Sequence, residues 1–178
     1  LSIEATSDGP YQHPAYDADS LDHTRDLLLQ LFEGVPDSRG LFGSADEVDP
    51  VRHLLGTAAG WGGLPEWEAF YVIETEPRPA GHARIVFRDI PVDSFWSISV
   101  YNRDGFFEAN ASGRYSFNGV TATADDDGSV TIDLDTDDHG YRNHLPVMEG
   151  WNYAIRLYRP RPEVLDGSWT PPVPEPVE

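Results

Sequence analysis

The sequence predicts a mainly β fold, an antiparallel β-sandwich of jelly-roll type with one or two N-terminal helices. Three observations carry that expectation. From Glu68 the spacing of apolar residues changes from the helical period to alternation. Six strand-like runs then follow, separated by turn residues and by no helical stretch that would serve as a crossover. Finally, the chain closes on "RPRPEVLDGSWTPPVPEPVE", whose six prolines in 20 residues suit neither a central strand nor a helix.

Residues 1–17 are polar and irregular, with Pro10 and Pro14. Asp19 or Ser20 can cap a helix running to about Phe32, because Leu21, Leu28, Leu31 and Phe32 fall near one stripe and Gly34 stops it. A second helix begins near Asp46 or Asp49. Pro50 suits its first turn, and Val51, Leu54, Leu55 and Ala58 follow at helical spacing. "GWGG" at 60–63 and Pro65 end it, and the small residues let the chain turn closely under Trp61. Strands are expected over 68–75, 82–88, 94–102, 120–124, 129–135 and 152–159, with short edge pieces around 105–108 and 114–117. Gly81, Pro91, Gly105, Gly128 and Gly150 read as turns. Asp127-Gly128 can supply the positive φ angles of a tight hairpin. Leu165 and Trp169 are expected to pin the tail in extended form, with the last few residues fraying. This divides the chain into an N-terminal helical segment (1–49), a sandwich domain (50–170) and a proline-rich tail (171–178).

At 178 residues one domain is the default, and folding buries roughly 70% of the unfolded surface. There are 31 acidic against 12 basic side chains, a net charge of −19, and every basic residue is arginine. The excess is spread evenly along the chain, so most of the surface is negative. Such a field opposes nucleic-acid phosphates and anionic lipid headgroups, so both are poor partners and no nucleic acid is expected. Acids on turns, helix starts and wet strand faces suit a surface adapted to high salt. The absence of cysteine excludes disulfides, thiol catalysis and cysteine-ligated metals. No apolar run approaches the roughly 20 residues needed to span a bilayer, so membrane insertion is not expected. No signal peptide is visible, a start at Leu1 is compatible with a processed product, and localisation stays open.

Several strings from Val51 onward have a familiar form: "VRHLLGTAAGWGGLPE", "IPVDSFWSISVYNRDGFFEAN", "RYSFN", "DGSVTIDL" and, most specifically, "GWNYAIRLYRPRPEVLDGSW". Over roughly residues 50–170 the chain resembles the domain-of-unknown-function family numbered 1214, often found C-terminal to a partner domain numbered 1254. That resemblance implies a β-sandwich of jelly-roll type and no settled reaction, although some relatives carry carboxylesterase or hydrolase labels. Only about 50 residues precede the match, which leaves no room in this sequence for the partner domain.

A serine esterase of the α/β type needs its nucleophile on a G-x-S-x-G elbow. None exists here; Ser97, Ser99 and Ser116 fall in expected strands or at their ends. Asp133, Asp135 and Asp137 have the spacing that opens a calcium loop, but Asp138 and His144 stand where glycine and glutamate are required. Asp137, His139 and His144 are the remaining candidates for a divalent cation, and no other cofactor is expected. "GTAAGWGG" lacks the lysine and hydroxyl of a phosphate loop and follows a helix instead of opening one. The strongest constellation is arginine and aromatic residues on strands: Arg84, Tyr101, Asn102, Arg114, Tyr115, Arg156 and Tyr158. Guanidinium offers a planar bidentate fork, so such residues in a concavity suit a carboxylate or sugar. Arg88, Arg103 and Arg159 lie nearby in sequence, and Glu108, Asp104 and His82 are the groups able to move a proton. The competing reading pairs these arginines with surface acids. The function expected is therefore the handling of a small polar or carbohydrate-like ligand. The alternatives are a carboxylesterase-type hydrolase, and an assembly protein docking as a homo-oligomer through sandwich edges and tail.

Overall fold

Asp17, two or three residues ahead of the expected caps, starts the first helix, α1 (Ala18–Phe32): its carboxylate accepts from the Ser20 N–H at 3.0 Å. The computed structural model describes residues 9, 10, 12–60 and 62–177, so the turn expected under Trp61 lies outside the described residues. No residue of α1 is fully buried: of the expected stripe Leu28 and Phe32 are half-buried, whereas Leu21 and Leu31 are exposed, and the helix packs on α2 outside the main core. Helix α2 (Pro50–Gly60) is capped by Asp49, which accepts from the Val51 and Arg52 N–H groups at 2.9 Å. Gly56 is needed for contact: a Cβ there would stand 3.0 Å from Cβ of Leu41. Among the described residues no helix is long and apolar enough to cross a membrane.

Alternation builds two four-stranded sheets. The first has the order β1 (Ala69–Arg78), β7 (Trp151–Tyr158), β3 (Trp96–Tyr101), β4 (Ser116–Asn118), all antiparallel. The second has the order β6 (His144–Pro146), β5 (Val130–Asp135), β2 (Ala83–Phe87), β8 (Glu175–Pro176). Inward residues of both sheets form one core, with Ile98, Ile155 and Leu157 from the first meeting Ile85, Ile132 and Leu134 from the second. Every outward residue of one sheet is thus on the opposite side of the molecule from those of the other.

Four expectations are corrected. The second sheet is mixed, because β6 runs parallel to β5. An eight-residue loop achieves this, shorter than the dozen or so residues usual for a parallel return. It does so because Asp138 folds the loop by accepting from the Gly140 and Tyr141 N–H groups, and β6 is only three residues long. Residues 120–124 are not a strand: Asn118 accepts from the Val120 and Thr121 N–H groups and turns the chain there, so the fourth strand of the first sheet is 116–118. Residues 105–108 are loop, folded by the Asn102 carboxamide accepting from the Asp104 and Phe106 N–H groups. At "ADDDGSV" only Gly128 takes a positive φ (83°), in a turn closed by its N–H on the Asp125 carbonyl.

The tail is more structured than expected. Pro162 starts one helical turn, α3 (Pro162–Leu165), in which Val164 is the buried residue and not Leu165. Trp169 packs against the core. Beyond it β8 pairs with β2, the Val177 N–H donates to the His82 carbonyl, and the described end of the chain is held.

Candidate functional site

On β7 the residues Trp151, Tyr153, Ile155 and Leu157 point inward, so Asn152, Ala154, Arg156 and Tyr158 lie on the outer face of the first sheet. On β3 the same logic places Ser97, Ser99 and Tyr101 outward, opposite Arg156, Ala154 and Asn152. The half-buried Arg156 guanidinium donates to Ser99 Oγ at 3.2 Å and to the Tyr101 hydroxyl at 2.7 Å. Its carbon also lies 5.9 Å from the centre of the Tyr101 ring. Tyr101 stacks on Phe107 (5.0 Å between centroids) and Phe107 on Tyr115 (5.1 Å), so a ladder of three rings fixes the tyrosine that holds the arginine.

Arg39, Arg84, Arg88, Arg142 and Arg161 each pair with an aspartate, whereas Arg156, like Arg25, Arg52, Arg78, Arg103, Arg114 and Arg159, is in none of the ion pairs among the described residues; Arg156 is the one of these held by two side-chain hydroxyls. Two neutral hydroxyls orient the guanidinium without neutralising it. Five donors in a rigid fork, only two of them engaged here, leave capacity for an oxyanion.

The sequence-expected site is partly assembled. Tyr101, Tyr115 and Arg156 come together, and Asn102 supports them by accepting, through its carbonyl, the Asn152 carboxamide at 2.9 Å. Tyr158 lies further along the face, stacked on Phe95 at 4.3 Å. Arg114 turns away, its guanidinium 4.9 Å above the Phe117 ring. Arg84 does not belong to this group, since its strand is in the other sheet and it is bound at 2.6 Å and 2.9 Å to Asp133. Of the proton-transfer candidates, Glu108 receives a long bond from Asn102 (3.4 Å), while His82 is on the opposite face. Phe107 was missed because it lies in a loop, where no alternation points to it.

A second polar cluster covers the outer face of the other sheet. Buried Asp133 accepts from His82 Nε2 at 2.8 Å as well as from Arg84, and buried Asp135 accepts from the Tyr141 hydroxyl at 2.8 Å. His144 is buried with Nε2 donating to the Asp135 carbonyl at 2.9 Å, because a carbonyl can only accept. The calcium-like spacing is thereby dissolved: Asp133 and Asp135 serve protein donors, while Asp137 takes the Thr136 hydroxyl at 3.3 Å. His139 is exposed and His144 is turned to the backbone, so Asp137, His139 and His144 do not converge. Among the described residues no group of three or more His, Asp or Glu is placed to hold a metal ion.

Burial, and then donation to Asp135, push the Tyr141 phenol from 10.0 up to about 12. A phenol whose folded-state value is raised, first by burial and then by this bond, contributes stability that is fully present below pH 10 and is lost as pH climbs to about 12. Tyr141→Phe is therefore expected to melt below the parent protein at neutral pH, with the gap closing across that alkaline window. Thermal melts of both proteins against pH check it, and a gap that stays constant would contradict the assignment. Burial raises Asp135, but the Tyr141 hydroxyl and the backbone N–H groups of Asp137 and Thr136 outweigh it and hold the carboxyl below its usual value.

Residues 78–162 match the model of a family described as "Protein of unknown function (DUF1214)". The crystal structure of the VPA0106 protein from Vibrio parahaemolyticus superposes with a TM-score of 0.71 over 93% of this chain, at 24% sequence identity. This chain spans 47% of that protein, so the two share a fold over less than half of the longer chain. A crystal structure of an uncharacterised protein from Burkholderia cenocepacia aligns over 64% of this chain and 30% of its own, with 19% identity and a TM-score of 0.44. No curated protein matches.

Proposed function

We propose that this chain, whose residues 78–162 carry the DUF1214 domain, binds a small polar ligand bearing a carboxylate, with acidic sugars as the fitting class. One observation supports this most: in a protein of net charge −19, a half-buried guanidinium on an open sheet face is held by two hydroxyls and by no acid. Arg156 is the anchor, Tyr101 and Ser99 orient it, and Phe107 and Tyr115 keep Tyr101 in place. A carboxylate suits this fork better than a neutral hydroxyl does, because it carries the opposite charge and presents two acceptor oxygens that meet two guanidinium N–H groups in parallel. A carboxylesterase-type hydrolase draws no support from Ser99, whose hydroxyl accepts from Arg156 and, among the described residues, is hydrogen-bonded to no histidine or carboxylate.

Glucuronate and glucose are the paired probes, followed by calorimetry on the whole chain. Glucuronate is expected to bind measurably tighter than glucose, and Arg156→Ala to lose about tenfold or more of that affinity while its far-ultraviolet spectrum is unchanged. Tyr101→Phe should lose less, because Ser99 still orients the guanidinium. Equal affinity in parent and Arg156→Ala would overturn the proposal, as would heat from neither sugar.

A further inference from the structure

The face that carries Arg156 continues past it. Ser97 of β3 is paired with Arg156 on one side and with Asn118 of β4 on the other, so the three form one row on the outer surface. Beyond that row Phe95 and Tyr158 stack at 4.3 Å, held in register by the Tyr158 N–H on the Phe95 carbonyl. Phe95 is 40% exposed, so a large ring at this end of the face meets solvent. The Arg156 guanidinium is anchored at Ser99. Phe95 lies four positions from Ser99, about 13 Å away at roughly 3.3 Å per extended residue. One sugar ring does not cover that span, whereas a short oligosaccharide does.

The surface between the two ends favours that class of ligand. None of the outward residues of β7, β3 and β4 is an acid, although the chain carries 31. An anion is therefore repelled least over this strip. The half-buried Ser97 hydroxyl enters no hydrogen bond among the described residues. Asn118 uses its side-chain oxygen to turn the chain at Val120 and Thr121, which leaves its amide nitrogen as a donor. We propose, resting on the carboxylate reading of Arg156, that the ligand is an acidic oligosaccharide and that Phe95 and Tyr158 form a second subsite for it. One uronate carboxylate meets Arg156, the hydroxyls of the chain meet Ser97 and Asn118, and the apolar face of a further ring packs on the aromatic pair.

Calorimetry on the full chain with galacturonate, trigalacturonate and a triglutamate peptide blocked at both ends tests this. Trigalacturonate is expected to bind about tenfold tighter than galacturonate. The peptide carries the same three carboxylates on no sugar ring and is expected to bind no tighter than the monomer. Phe95→Ala and Phe95→Leu should each bring the trisaccharide to within about twofold of the monomer, whose own affinity stays that of the parent. The leucine variant keeps apolar bulk against Tyr158, so its loss reports the ring and not a disturbed fold. Three results would overturn the proposal while leaving the Arg156 reading intact: galacturonate bound through Arg156 but the trisaccharide no tighter; the full gain retained in Phe95→Leu; and the peptide matching the trisaccharide, which would make the ligand an acidic peptide. Absence of galacturonate binding would overturn the Arg156 reading and this proposal with it.

Discussion

Asn143→Ala is expected to cost about 3 kcal/mol of folding stability, because one carboxamide satisfies three backbone groups at roughly 1 kcal/mol each. Asn143 is 1% exposed. Its oxygen accepts from the Thr123 N–H at 2.8 Å, and its nitrogen donates to the Thr123 and Thr131 carbonyls, both at 2.8 Å. It thereby stitches the turn segment at 121–124 to β5, work that a strand ladder would do if 120–124 were a strand. Removing the carboxamide leaves those groups without partners in a site closed to water. Asn143→Asp retains the shape but sets an acceptor against two carbonyls, so its loss should be comparable. Urea unfolding of the three proteins measures both, and an alanine variant within about 1 kcal/mol of the parent would show that water replaces the amide.

Trp151→Ala is expected to cost about 4 kcal/mol, within the range for deleting a large buried aromatic side chain. Trp151 is the first residue of β7, is buried, and donates its indole N–H to the Pro79 carbonyl at 3.0 Å. The Arg78 guanidinium stands 5.5 Å from its ring centre and 5.4 Å from that of Tyr153, and its Nη1 reaches the Pro174 carbonyl at 3.2 Å. Losing the indole removes apolar burial, a hydrogen bond and one of the two rings that hold this cation. Trp151→Phe keeps a ring and forfeits the bond, so roughly 1 kcal/mol of loss beyond the change in volume is the expected share of the hydrogen bond. Equal losses for alanine and phenylalanine would place the stabilisation in the hydrogen bond alone.

Much of the fold was legible because alternation is a local property. The runs at 82–88, 94–102, 129–135 and 152–159 contain β2, β3, β5 and β7 within a residue or two, and "GWNYAIRLYR" carries the whole in–out pattern of the central strand. What escaped depends on contacts distant in sequence. The three residues of β6 are too few for a period, and their parallel direction is set by a loop folded on Asp138 and Asp135. Arg84 and Arg156 look equivalent as outward arginines, but strand order, which no local pattern encodes, puts them on opposite sides of the sandwich. Arg156 and Tyr101 were recoverable because they lie on adjacent strands with matching faces. Asp133 and Asp135 read as a wet face, whereas Tyr141, His144 and the β2 side chains bury them.

The pairing of β8 with β2 has a further consequence. In an extended strand the backbone N–H groups alternate between its two sides. Val177 uses its N–H toward β2, so the positions whose N–H would point away from the sheet are 174 and 176, and both are proline. The outermost strand of the second sheet is therefore complete on one side and has no donors on the other. An additional strand arriving from a neighbouring molecule finds nothing to accept from, so fibrillar growth is blocked along that border.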